Sequence, residues 1–173
     1  NIHNFYLLVN WCKMLLMKSE NILILHDIRS AQNVGAIFRT ADACGISKII
    51  ISGYSPTPLD RFGRKRSDIS KSALGAEETV PWEFSENIIE TLKKLKEENF
   101  KIISIEQTEN SVDYKEVKIG EKNVFVLGNE VTGVEKQILE ISDIVAEIKM
   151  KGEKESLNVS VAAGVALFRI LEI

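Results

Sequence analysis

Asn123-Val124-Phe125-Val126-Leu127-Gly128-Asn129-Glu130 is the stretch on which the fold turns. Val124 to Leu127 are consecutive apolar residues, mostly β-branched or aromatic. Such a short run predicts a strand, Asn123–Leu127, buried on both faces. It stops at Gly128 and two polar side chains, with Gly133 just beyond, so a loop takes over there. The same hand-over occurs twice more. The predicted strand Ile22–His26 leads into Asn33-Val34-Gly35-Ala36-Ile37-Phe38-Arg39, followed by Gly45. The alternating strand Ile144–Ile148 leads into Lys149-Met150-Lys151-Gly152 and then Glu155-Ser156-Leu157-Asn158-Val159-Ser160. Ligands collect at the carboxyl ends of strands in open α/β sheets, so three such junctions predict one composite site.

Outward from these junctions, strands are predicted at Lys48–Ser52, Val80–Phe84 and Lys101–Ile105. Asn33 can cap a helix with Val34, Ile37, Phe38 and Ala41 as its apolar stripe, ended by Gly45. A short helix is predicted over Ser72–Ala76, another from a Ser85 cap through Asn99, and a third over Glu135–Glu140. The last helix starts near Asn158, with Leu157, Val161, Val165 and Phe168 as its stripe. Strands alternating with helices predict a mainly parallel α/β sheet covered on both faces.

The chain has 173 residues, 45% hydrophobic and 27% charged, which fits one soluble globular domain. Its net charge of −3 does not advertise phosphate binding. Basic residues are nevertheless concentrated: Arg61, Arg64, Lys65, Arg66 and Lys71 surround Phe62, with Asp60 and Asp68 the only acids of that segment. A basic run is usually a solvated face. Cys12 and Cys44 lack metal-type spacing and read as free thiols in a reducing compartment. Phe5 to Met17 is apolar but shorter than the ~20 residues of a membrane span. It also lacks the marks of a secretory leader. Residues 1–20 are expected to be an extension or an added helix, with Met14 or Met17 as alternative natural starts. Residues 21–173 are expected to form the domain proper.

The first junction has one glycine where a dinucleotide-binding turn has GxGxxG, and no GxxxxGK[ST] occurs. Taken together and in order, the three segments resemble motifs 1, 2 and 3 of the SpoU/TrmH family of RNA ribose 2′-O-methyltransferases, within the SPOUT superfamily. The Arg four residues after Gly35 and the Ser-Leu-Asn of the third segment make the match specific. The resemblance covers the chain from about Ile22 onward.

That resemblance implies a C-terminal deep trefoil knot whose loops bind S-adenosylmethionine, and a homodimer with each site built from both subunits. By motif position it implies catalytic roles for Asn33, Arg39, Glu130, Ser156 and Asn158. It places the cofactor against Leu127, Gly128, Asn129, Ile148, Met150 and Leu157. Glu130 is expected to orient Arg39 or another donor. Arg39 is expected to hold an RNA phosphate and stabilise oxyanion character at O2′, since a guanidinium is a base only after losing its proton. No metal is needed, because the leaving group is already a sulfonium. With the resemblance, Arg29, Arg61, Arg64, Lys65, Arg66 and Lys71 become candidate RNA contacts.

Each of these residues has an ordinary structural reading too. Asn33, Ser156 and Asn158 could be helix caps, Gly128 and Gly133 plain turns, His26 a packed histidine, Cys44 core, and Trp82 and Phe84 core or dimer contacts. The resemblance also makes the end of the Lys101–Ile105 strand and the loop that follows, Ser104-Ile105-Glu106-Gln107 with Thr108 next, a further candidate for cofactor contact. The chain is expected to act on tRNA or rRNA in the cytoplasm, away from membranes. Its lack of a separate RNA-recognition domain favours tRNA. The rival reading is a non-catalytic RNA-binding homologue of the same fold.

Overall fold

The computed structural model describes residues 19–173. The expectations for residues 1–18, including Phe5–Met17, His3 and Cys12, lie outside the described residues. Seven strands form one sheet in the order β3-β2-β1-β6-β4-β7-β5, every pair parallel. They are β1 (Glu20–His26), β2 (Lys48–Ser52), β3 (Trp82–Ser85), β4 (Lys101–Ile105), β5 (Val112–Asp113), β6 (Lys122–Leu127) and β7 (Ile144–Glu147). The helices are α1 (Ala31–Ala43), α2 (Ser67–Ala73), α3 (Ala76–Thr79), α4 (Ile88–Glu97), α5 (Lys136–Ile141) and α6 (Val159–Ile170).

Side chains alternate across a strand, so each central strand feeds two cores. Leu23, Leu25, Ile49, Ile51, Phe125 and Leu127 pack with Ile37, Phe38 and Leu167 on the face covered by α1 and α6. Ile22, Ile24, Ile50, Val124 and Val126 pack with Leu92, Leu95 and Ile138 on the face covered by α4 and α5. β1 lies between β2 and β6, in register with both, so Leu23 faces Ile49 on one side and Phe125 on the other. The loops after β1 and β6 therefore emerge side by side.

The predicted strands are all present, within one or two residues at their ends. The helix starts differ. Ser30, not Asn33, caps α1: its Oγ accepts from the Asn33 N–H at 3.3 Å. Asn33 sits inside the first turn, which frees its side chain for other partners. Asn87, not Ser85, caps α4, which ends at Glu97 before Asn99 turns left-handed at φ 67°. In place of one helix over Ser72–Ala76 the chain forms α2 and α3, broken where Leu74 and Gly75 have φ of 53° and 96°. β5 and the 3₁₀ turn Tyr114–Glu116 had no sequence signal.

The stripe expected on α6 faces the wrong way. Val161, Val165 and Phe168 are exposed, while Val159, Ala163, Ala166, Leu167 and Ile170 are buried. This helix is apolar nearly all round, so periodicity could not choose a face. Its inner side, packed on α1, mixes the small Ala163 and Ala166 with the larger Val159, Leu167 and Ile170. Cys44 is core, as expected, and burial pushes its thiol up to about 11. Trp82 packs against the core and Phe84 is exposed.

Candidate active site

Loops after β1, β6 and β7 converge at the carboxyl edge of the sheet, and one residue ties the first two. The Glu130 carboxylate accepts from the backbone N–H of Arg29 at 2.8 Å, that of Ser30 at 3.3 Å, and the Asn33 amide at 2.9 Å. It thus sits on the N-terminus of α1, where a negative charge is stabilised by the helix dipole. Burial alone would raise the Glu130 carboxyl. The Arg29 N–H and Asn33 amide, with further backbone donors at Glu130 and Ser30, outweigh it and hold the group below the usual glutamate range.

This clasp extends to the third loop. Asn33 Oδ1 accepts from Asn158 Nδ2 at 3.1 Å, across 125 residues of sequence. Asn158 in turn caps α6, its Oδ1 accepting from Ser160 N at 2.9 Å and Ser160 Oγ at 2.6 Å. The polarity is forced from both ends. A carboxylate only accepts, so Asn33 must turn its NH₂ toward Glu130 and its oxygen toward Asn158. A helix N-terminus only donates, so Asn158 must turn its oxygen inward and its NH₂ toward Asn33. Glu130, Asn33 and Asn158 are therefore brought together, one from each segment. Asn158 is also the cap that its plain reading foresaw.

Beside the clasp lies a cleft of about 350 Å³. Leu127, Gly128, Asn129, Ile148, Met150 and Leu157, the six residues expected to meet the cofactor, all line it, together with Glu130 and Ser156. Ile105, the last residue of β4, with Glu106 and Gln107 of the loop that follows, completes one wall. These three belong to the stretch expected to border the cofactor. Glu106 braces the loop after β6, its Oε2 accepting from Val134 N at 2.8 Å. That loop admits no bulk. A Cβ on Gly128 would fall 2.5 Å from the Gly133 carbonyl group, and Gly133 itself has φ +72°.

Asn129 lines the cleft, but its side chain is consumed by the loop. Oδ1 accepts from Val131 N at 2.8 Å and Thr132 N at 2.9 Å. Nδ2 donates to the Asp27 carbonyl at 2.9 Å and to the Tyr54 hydroxyl. Arg39 stands apart. It is exposed on α1, is not among the residues lining the cleft, and its side chain makes no hydrogen bond or ion pair among the described residues. Glu130 orients Asn33 rather than Arg39.

The basic segment is more neutralised than its sequence implies. Arg64 pairs with Asp60 at 2.7 Å, Arg66 with Asp68 at 2.7 Å, and Lys65 reaches Glu78 on α3 at 2.6 Å. Arg61 and Lys71 form no ion pair among the described residues, and neither does Arg29. Arg61 and Arg64 stack over the Phe62 ring at 4.7 and 5.0 Å from its centre. These groups border an open depression that also includes Tyr54, Trp82 and Phe84.

Known proteins resemble this chain in sequence and in fold. The SpoU rRNA Methylase family matches residues 20–168. The 23S rRNA (guanosine-2'-O-)-methyltransferase RlmB of Neisseria meningitidis serogroup B is 37% identical over 146 residues, 84% of this chain and 56% of that protein. The RlmB of Escherichia coli K12 is 34% identical over 147 residues, 85% of this chain and 58% of that protein. The chain thus spans somewhat more than half the length of these relatives. Among solved structures, the A. aeolicus TrmH/SpoU tRNA modifying enzyme superposes with TM-score 0.78 at 28% identity, covering 90% of this chain and 75% of that one. The AdoMet-bound rRNA methyltransferase from Sinorhizobium meliloti gives TM-score 0.78 at 25% identity, covering 88% and 56%. With the motif residues clasped as described and the family matched over most of its length, this chain belongs to the SpoU rRNA methylase family.

Proposed function

We propose that this chain methylates a ribose 2′-hydroxyl of rRNA or tRNA with S-adenosylmethionine as donor. The observation that carries this reading is the Glu130–Asn33–Asn158 chain beside a cleft walled by the loops after β4, β6 and β7. The cleft suits the donor. Its volume lies within the range of small-ligand sites, and Leu127, Ile148, Met150 and Leu157 offer apolar walls for a planar base. Backbone groups near Leu127 and Gly128 can read the base edges, since no side chain intervenes at Gly128. Asn129 contributes only main chain, its amide being occupied.

When bound, the donor supplies a methyl group already activated on a sulfonium. The protein's part is to position and polarise the acceptor. Asn33 and Asn158 each keep one amide N–H beyond the bonds described, and Ser156 keeps its hydroxyl, so all three can hold ribose or phosphate oxygens. Arg39 serves as a cation that holds phosphate and stabilises charge developing on O2′, a type of contact worth ~10²–10³ in rate.

The exposed position of Arg39 fits a site completed by a second copy of the chain. Val161, Val165 and Phe168 give α6 an exposed apolar face, and α6 packs directly on α1, which carries Arg39. A homodimer burying that face would bring the guanidinium of one copy toward the cleft of the other. The topology also supports the knot. β7 lies between β4 and β5, both earlier in the chain, before the path returns to α6, which packs on α1 and on the 3₁₀ turn after β5. The RNA would lie along Arg29, Arg61, Lys71 and the exposed aromatic rings of Tyr54 and Phe62, which can stack on unpaired bases. Among the described residues no helix is long and apolar enough to cross a membrane. A cytoplasmic place of action belongs to the same proposal, because it follows from rRNA or tRNA as substrate.

The test is transfer of labelled methyl groups from S-adenosylmethionine to ribosomal RNA and tRNA, with mapping of ribose methylation. Nucleotides resistant to alkaline cleavage next to the modified ribose are expected. RNA binding with neither donor binding nor transfer would instead establish the non-catalytic homologue.

A further inference from the structure

A second polar cluster lies at the carboxyl end of β1, among residues that do not line the cleft. We propose that His26, Asp27 and Glu135 form a divalent-cation site, of the type that takes zinc, which staples the end of β1 to the loop following β6. The three side chains offer one ligand atom each, all within 4.8 Å of one another.

The histidine is the deciding observation. His26 is 6% exposed, and its Nε2 is a buried nitrogen without a hydrogen-bond partner among the described residues. Its Nδ1 lies 2.8 Å from Ser52 Oγ, which fixes the ring. Nε2 then points at two carboxylates, 3.6 Å from Asp27 Oδ2 and 3.5 Å from Glu135 Oε1. These gaps exceed the ~2.7–3.2 Å of an N–H···O hydrogen bond. They match the roughly 3.3–3.6 Å between ligands that share a tetrahedral ion at about 2.0–2.2 Å. One imidazole with two carboxylates is a donor set for zinc or manganese rather than for a soft ion.

The supports around the ligands are those of a held site. Asp27 adopts the left-handed conformation, φ 57°, uncommon for a residue with a side chain. Its Oδ1 is taken by the Tyr54 N–H at 3.0 Å, leaving Oδ2 for the ion. A Cβ on Gly53 would collide with that Oδ1 at 1.8 Å, so a glycine is required there. The Asp27 carbonyl is bound by Asn129. Glu135 is half exposed at the rim, which gives an ion a way in and room for water as fourth ligand. The ion is structural: it would steady the backbone on either side of the Glu130 clasp and takes no part in methyl transfer.

The experiment uses the full chain, freed of metal by chelator and titrated calorimetrically with zinc chloride, beside the variant Glu135→Gln. That side chain is half exposed, and an unchanged thermal midpoint in chelator shows that the variant folds. The expected result is saturable one-to-one binding, weakened about tenfold or more in Glu135→Gln. Zinc should raise the thermal midpoint of the wild type by mass action and leave that of the variant nearly unmoved. Absence of saturable binding would overturn the proposal. So would equal affinity in the variant, which would place the ion elsewhere on the chain.

Discussion

The Glu130 clasp and the Arg61–Lys71 segment are both polar and half open to water, yet they are built in opposite ways. The clasp joins residues 97 and 125 positions apart, and each partner has its donor or acceptor role dictated by a helix end or a carboxylate. The basic segment satisfies itself with neighbours: Asp60 lies four residues from Arg64 and Asp68 two from Arg66. Long-range, charge-assisted bonds at a partly buried site fix geometry before any ligand arrives. Exposed ion pairs between near neighbours are worth little, ~0–1 kcal/mol, and exchange readily for phosphate. The first region is suited to positioning reacting atoms and the second to gripping a polyanion in many registers.

Substitutions can break this contrast, and the largest effect is expected at Arg39. Arg39→Ala should lower turnover by ~10²–10³ while leaving donor affinity, measured by calorimetry, unchanged. Normal turnover would remove the residue from the site. Next comes Gly128→Ala, whose new methyl meets the Gly133 backbone at 2.5 Å. Overpacking of this kind costs about 1–3 kcal/mol, so the denaturant midpoint should fall and donor binding be lost with it.

Glu130→Gln is a smaller and more specific probe. It keeps the shape of the clasp but turns one of the two accepting oxygens into an NH₂ that faces a donor, so at least one of the Arg29, Ser30 and Asn33 N–H groups loses its acceptor, an expected cost of about 1 kcal/mol or more. The sign of its pH dependence follows from the lowered carboxyl. The stabilisation is fully present above the unfolded glutamate's pKa of about 4.3. It is lost as pH falls through the folded value, when the carboxylate takes up its proton. The variant should therefore lose less stability than the wild type on acidification through that window. A parallel loss in both proteins would mean that the clasp carries no net charge effect.

The smallest effects belong to the basic segment. Arg61→Ala should weaken RNA binding and reduce the slope of log affinity against log salt by about one. Lys65→Ala should change both less, because Glu78 already neutralises that ammonium. Equal slopes for the two variants would show that local ion pairs do not ration phosphate contacts.

How much of this was legible from the chain varied by element. The strands were readable because β-branched runs such as Ile49-Ile50-Ile51 suit a buried parallel sheet and little else. Asn158 was read as the cap of the last helix, but two other helix starts were not legible. Ser30 and Asn33 compete for one cap, Ser85 and Asn87 for another, and the winner depends on where the chain leaves its strand. The cleft-lining residues were found through motif resemblance, while the bracing of the loop after β6 by Glu106 was not, because it is a bond to backbone far away in the chain. The neutralisation of Lys65 was invisible, since Glu78 lies 13 residues on, past the break at Leu74 and Gly75 and in a second helix that was not expected.

The sequence by itself determined the parallel α/β sheet, the buried strands and the three segments that gather at its edge, because apolar runs and glycine punctuation are local and self-sufficient signals. Only the tertiary structure decided which face of α6 is buried, which donors Glu130 holds and how near His26 lies to Asp27 and Glu135. Those outcomes depend on the lateral order of strands, which sets residues far apart in the chain within a few ångströms. No periodicity along a single segment carries that information.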